Sequence, residues 1–206
     1  MAGSTPTPAF AQVALVIAPV GVGEAYGRIH RKAFPEPLGY GKNATRFSDP
    51  RRRKPDNRFG VIYLGSSLKV CFVEAVLRDR RDGIVGEIVM DETELTDRHY
   101  SLIAVREPLR LVNFGDDGLL QMGIPTDVAR GRSQGLARKW SLAIYDHPAA
   151  VDGILYPSRL NNETNLAIFD RAVTKLSSQS THDLDKAPGI GGILDRFEIA
   201  FPPEAP

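Results

Sequence analysis

One cysteine, Cys71, occurs in 206 residues, so no disulfide can close within the chain. That excludes the small disulfide-framed secreted scaffolds and makes a reducing compartment the default. Long hydrophobic runs are missing: the longest near-apolar stretch, Val13 to Val20, is far too short to span a bilayer as a helix. Residues 1–27 hold no Lys or Arg, against the basic start that a secretory signal requires. The four histidines, His30, His99, His147 and His182, are scattered, and no Cys/His group has zinc spacing. There is no GxxxxGK[ST], no GxGxxG and no GxSxG, so P-loop, Rossmann and hydrolase-elbow readings fail. The expectation is a soluble, cytoplasmic protein with no metal.

What is present is ordinary globular material, 42% hydrophobic and 25% charged, enough for a sizeable core. The net charge of +1 hides a partition. Residues 28–58 hold ten Lys/Arg against three Asp/Glu, and the rest of the chain holds sixteen against twenty-two. This basic block leaves open a module that binds nucleic acid or protein. Arg51, Arg52, Arg53 and Lys54, however, sit between two prolines as a solvated run.

Punctuation and periodicity divide the chain. Residues 1–10 read as a loose arm and Phe10 to Val20 as a short helix or strand. Ala25–Arg31 (AYGRIHR) alternates as a strand with Tyr26, Arg28 and His30 on one face. Gly60 to Gly65 reads as a buried strand, and Ser66 or Ser67 caps a helix running to about Arg80. Further strands are expected at 86–90, 100–105, 109–114, 151–156, 165–169 and 193–200, and helices at 116–122 and 133–145. Residues 177–192 read as polar loop. Strands outnumber helices without regular alternation, which predicts an α+β fold with a mixed or antiparallel sheet core and a few helices. The domain limits expected are an extension, 1–24, and one domain, 25–206.

Glu74 is the most informative residue. Leu68, Cys71, Phe72, Ala75 and Val76 make one apolar stripe, and Val70, Val73 and Leu77 make the opposite face apolar too. A carboxylate on such a helix needs a partner or a raised pKa; a neighbouring arginine, or reach to the surface at the helix edge, makes it structural, and a catalytic role is the alternative. Upstream, Arg28 and Arg46, the latter in the loop GKNATRFSD, have the geometry to bind phosphate. Tyr63 precedes the helix and is either a stacking platform or a core tyrosine.

The order of these pieces carries a resemblance: YGRIHR, TRFSDP, FGVIYLGSSLKVCFVEAVLRD, then VDGILYPSRLNNETNLAIFDRA. The chain resembles the RES-domain family, toxins of bacterial type II toxin–antitoxin pairs, over about residues 25–172. The resemblance implies a fold related to ADP-ribosyltransferases and a cleft that binds NAD. It implies an enzyme that cleaves the nicotinamide–ribose bond and passes ADP-ribose to a protein side chain, phosphate or water. It also implies an antitoxin that carries a helical DNA-binding part and blocks the cleft. Residue by residue, Arg28 and Arg46 take the family's arginine positions and Tyr63 its tyrosine. Glu74 takes its glutamate, Ser158 its serine and Asn165 an asparagine near that serine. The catalytic set so implied is Glu74, Arg46 and Ser158, with Arg28, Arg46, Tyr63, Ser158 and Asn165 around NAD. Ser158 would hydrogen-bond the nicotinamide ribose or shape the carboxylate site. The N-terminal extension and the Arg51–Arg58 run depart from the pattern.

Overall fold

The computed structural model describes residues 4–51, 54 and 57–202. Arg52 and Arg53 of the basic run lie outside the described residues. The strands are β1 (Ile17–Val20), β2 (Ala25–Arg31), β3 (Val61–Gly65), β4 (Ile88–Val89), β5 (Arg98–Val105), β6 (Leu109–Asn113), β7 (Gly153–Pro157), β8 (Thr164–Phe169), β9 (Leu176–Asp183) and β10 (Ile199–Ala200). The helices are α1 (Leu68–Phe72), α2 (Thr93–Thr96), α3 (Gly118–Gln121), α4 (Asp127–Arg130), α5 (Gly135–Tyr145) and α6 (Ile190–Arg196). Eight strands form one sheet in the order β1-β6-β7-β8-β3-β2-β5-β9, and β4 and β10 form a small parallel pair. Only the β6–β7 pairing in the large sheet is parallel. This is the α+β, mixed-sheet architecture expected. No helix among the described residues is long and apolar enough to cross a membrane.

The run VIYLG is apolar throughout because β3 is central and covered on both faces. Val61 and Tyr63 pack with Phe47, Phe169 and the Trp140 face of α5. Ile62 and Leu64 pack with Tyr26, Ile103 and Leu109. β8 alternates the same way, Ala167 and Phe169 to one side and Leu166 and Ile168 to the other. A third cluster gathers Phe72, Val73, Val76 and Leu77 against Met90, Leu95 and Leu184. α1 therefore lies close on the strand ends. A Cβ at Gly65 would stand 2.6 Å from Val70 Cγ1 and 2.8 Å from Cys71 Sγ.

Three expectations are corrected. Residues 177–192, read as loop, contain β9, an edge strand paired with β5 from Val105↔Leu176 to His99↔Asp183. Its polar side chains hid it, since an edge strand is held by backbone hydrogen bonds. Residues 193–200, read as one strand, begin with the second half of α6. Ile190, Ile193, Leu194 and Phe197 follow helical spacing and pack on the third cluster, and only Ile199–Ala200 pairs as a strand. Residues 4–10, read as part of a loose arm, pack on the domain, while the short helix or strand expected over Phe10 to Val20 is present there as β1, paired antiparallel with β6. Phe10 is buried edge-on against Trp140, with ring centroids 5.0 Å apart, and the Trp140 indole N–H donates to the Ser4 carbonyl at 3.0 Å. Pro19 is tolerated because β1 is an edge strand.

Candidate active site

Ser67 opens α1, its Oγ accepting the Val70 N–H at 3.1 Å. The helix then widens into a π turn, Val73–Leu77, and tightens into a 3-10 turn, Arg78–Arg81. The helical span expected to about Arg80 ends at Arg81, built of α, π and 3-10 turns in succession. A π turn inserts one residue into the helical ladder and is frequent where a side chain must be aimed. Glu74 lies on that turn, half-buried, while Val73, Val76 and Leu77 are buried around it. Arg78 follows with φ +50° and ψ −134°, a conformation that L side chains rarely adopt, at the edge of the same cleft.

The cleft has a volume of about 540 Å³, and its lining includes Arg28, Arg46, Tyr63, Glu74 and Asn165. Residues far apart in sequence meet because β2, β3 and β8 are neighbours and residues 44–46 join them around the cleft. Asn165 is buried on β8 opposite Gly65 and Tyr156. Its Nδ2 donates to Glu74 Oε1 at 3.2 Å. Among the described residues Glu74 has no ion pair, so the arginine partner that would make it merely structural is not there.

The two arginines are held by carbonyls in place of carboxylates. Arg28 donates to the Pro37 carbonyl, and Arg46 to that of Gly131 at 2.8 Å. Burial pushes the Arg28 guanidinium down to about 10, with Glu36 opposing, so it stays charged at neutral pH. The Tyr63 hydroxyl meets Thr45 Oγ1 at 2.9 Å and accepts the Phe47 N–H at 2.9 Å, clamping the loop that carries Arg46. Burial pushes that phenol up to about 12, so it remains neutral. Cys71 also lines the cleft, but burial raises its thiol to about 12, which removes the thiolate a nucleophile would need.

Ser158 is not in the cleft lining. It is fully buried, and its Oγ accepts the N–H groups of Leu160 at 3.1 Å and Asn161 at 3.4 Å. Its sequence neighbour Arg159 does reach the cleft and is ion-paired with Asp79, which also lines it. Cys71, Arg78, Asp79, Gln134, Tyr156 and Arg159 are thus wall residues that motif reading missed. Position beside Ser158 was the available signal for Arg159, and the charged run after the Glu74 helix was the signal for Arg78 and Asp79.

The basic block does not make one face. Arg51 is bound by Asp49 and Lys32 by Asp183, whereas Arg28 and Arg46 turn into the cleft. Among the described residues Arg28, Arg46 and Arg78 make no ion pair, Glu74 makes none either, and all four line a single cavity. Such a lining can hold an anionic group and stabilise developing positive charge.

Residues 24–187 match the family profile of the RES domain. The chain belongs to the RES domain family. This RES protein is 40% identical over 124 residues to the probable toxin y4kH of Sinorhizobium fredii (strain NBRC 101917 / NGR234), across 60% of this chain and 98% of that one. Its fold is shared with a chain in the crystal structure of the M. tuberculosis MbcT–MbcA toxin–antitoxin complex. That match has a TM-score of 0.57 and 16% identity, and covers 85% of this chain and 89% of the other. β1 lies before the family match but inside the sheet.

Proposed function

We propose that this RES protein is the toxin of a toxin–antitoxin pair, and that its cleft binds NAD and breaks the nicotinamide–ribose bond. The observation that carries this reading is that guanidiniums and a carboxylate, none of them ion-paired among the described residues, share one cleft: Arg28 and Arg46 with Glu74. The cavity volume falls within the range of about 300–1,000 Å³ that small-molecule sites occupy. The similarity to a probable toxin and the fold shared with a chain of a toxin–antitoxin complex support the biological role.

NAD supplies a pyrophosphate and a nicotinamide that leaves as a neutral base, taking the bonding pair of the glycosidic C–N bond. Arg28 and Arg46 hold the pyrophosphate by charge-assisted hydrogen bonds. Tyr63 fixes the loop bearing Arg46 and lines the cleft. Glu74, held by Asn165, stabilises the oxocarbenium-like ribose as the bond breaks. Its carboxylate then accepts or steers the proton of the incoming oxygen. Transfer of ADP-ribose to a protein side chain, to phosphate or to water uses the same site. A cognate antitoxin, with a helical DNA-binding part, silences the toxin by covering the cleft in the cytoplasm.

The test is nicotinamide release from NAD by the purified protein, with and without phosphate and with cell extract, read by product mass. Wild type releases nicotinamide. Glu74→Gln slows release at least about 100-fold with an unchanged melting temperature, because no ion pair is lost. A wild-type protein that leaves NAD intact in all three mixtures overturns the reading.

A further inference from the structure

Ser158 and Arg159 are adjacent but face different surroundings. Ser158 is fully buried, and its Oγ is taken by the N–H groups of Leu160 and Asn161. Its own N–H donates to the Glu163 carbonyl at 2.7 Å, and its carbonyl accepts from Asn162 at 3.0 Å. All four polar contacts are internal to one tight turn, the local hydroxyl-to-backbone pattern that serine favours. Arg159, next along that turn, lines the cleft with a side chain 24% exposed. Asp79 holds it through a single guanidinium nitrogen. A guanidinium has five N–H donors, so most of its capacity is left for a ligand.

The far end of the turn is fixed to the Glu74 helix. Glu163 accepts the Ser67 hydroxyl and pairs with the Lys69 ammonium, both at the start of α1. The turn cannot drift without disturbing either its own hydrogen bonds or this anchor.

We propose that Ser158 is a positioning residue, and that it acts through Arg159 by folding the 158–163 turn so that the guanidinium meets an anionic oxygen of the ligand. The identity of that anion, a pyrophosphate, rests on the function proposed above. The presentation of Arg159 does not. Asp79 is a counterion that keeps the guanidinium aimed before ligand arrives. The pairing holds the Asp79 carboxyl below its ordinary range, chiefly through its hydrogen bond from Arg159, so the clasp is charged at neutral pH.

The experiment is a double-mutant cycle read by calorimetric titration of inorganic pyrophosphate and by KM and kcat for NAD. Arg159→Ala weakens pyrophosphate binding about tenfold, the size of one charge-assisted contact. Ser158→Ala weakens it by a similar factor, and the Ser158→Ala/Arg159→Ala protein binds no more weakly than Arg159→Ala alone. Ser158→Thr, which keeps a hydroxyl, regains most of what Ser158→Ala loses. For NAD the losses fall on KM with kcat little changed. Hydrogen exchange at Leu160 and Asn161 quickens in Ser158→Ala but not in Arg159→Ala. The proposal is overturned if the two losses multiply, if Arg159→Ala binds pyrophosphate as wild type does, or if wild type binds none. Pyrophosphate binding that follows the cycle in a protein that never releases nicotinamide would overturn the function above and leave this inference standing.

Discussion

Asn165 Nδ2 lies 3.2 Å from Glu74 Oε1 and is the one hydrogen-bond donor reaching that carboxylate among the described residues. A neutral donor fixes the carboxylate without cancelling its charge, whereas an arginine in the same place would have spent it. Asn165 can serve in this way because it is buried in a central strand, registered opposite Gly65 on one side and Tyr156 on the other.

That relationship predicts a pH effect. Asn165→Asp sets two carboxylates at hydrogen-bonding distance, and two such groups cannot both ionise easily. The acid limb of the kcat/KM profile for NAD should move up by about one pH unit. A variant whose acid limb stays at the wild-type position would show that Asn165 does not govern the carboxylate.

Arg46→Lys tests the shape of the anion site with its charge preserved. The lysine cannot donate to the Gly131 carbonyl and to a phosphate with the same planar fork. KM for NAD should rise about tenfold while kcat changes less. Steady-state kinetics at fixed ionic strength checks this, and an unchanged KM would remove Arg46 from the ligand contacts.

The sequence made some of this readable for reasons that can be named. β2 was legible to the residue because Tyr26, Arg28 and His30 recur at every second position, and β3 because its run is uniformly apolar between glycines. The meeting of Arg28, Arg46, Tyr63, Glu74 and Asn165 was legible only as an order of motifs, since nothing in periodicity brings β8 beside β3. β9 was hidden because SSQSTHD pairs through its backbone, and the pairing of β1 was hidden because its partner β6 lies some ninety residues away. Arg159 was hidden because its neighbour Ser158 drew the attention, and which of two adjacent polar residues faces a cavity depends on a turn no local pattern announces.

Tyr63 separates two roles that one side chain can hold. Tyr63→Phe keeps the ring and deletes the hydroxyl that joins Thr45 to the Phe47 N–H. If the ring alone mattered, the variant would match wild type. The clamp instead predicts a KM rise of about three- to tenfold with Tm lower by a few degrees, because a buried N–H loses its acceptor and the Arg46 loop loosens. Kinetics and a thermal melt on the same preparation decide between the two.

Asp49 tests the stability of the same loop. Its side chain is fully buried, paired with Arg51, and it also accepts the N–H groups of Arg51 at 2.9 Å and Phe59 at 3.2 Å. Burial alone would raise this carboxyl, but the Arg51 guanidinium and the two N–H groups outweigh it and hold the carboxyl below its ordinary range. A depressed folded-state value means the stabilisation is complete above the unfolded value of about 3.9 and is lost as pH falls through the folded one. Asp49→Asn should cost about 2 kcal/mol at pH 7, a fall in Tm of about 4–8 °C. The gap between variant and wild type should narrow as the pH falls from about 4 towards 2, where the native carboxyl is protonated too. Thermal melts across that range read the effect directly, and a gap that stays constant with pH would mean that the Asp49 charge contributes nothing to holding the loop.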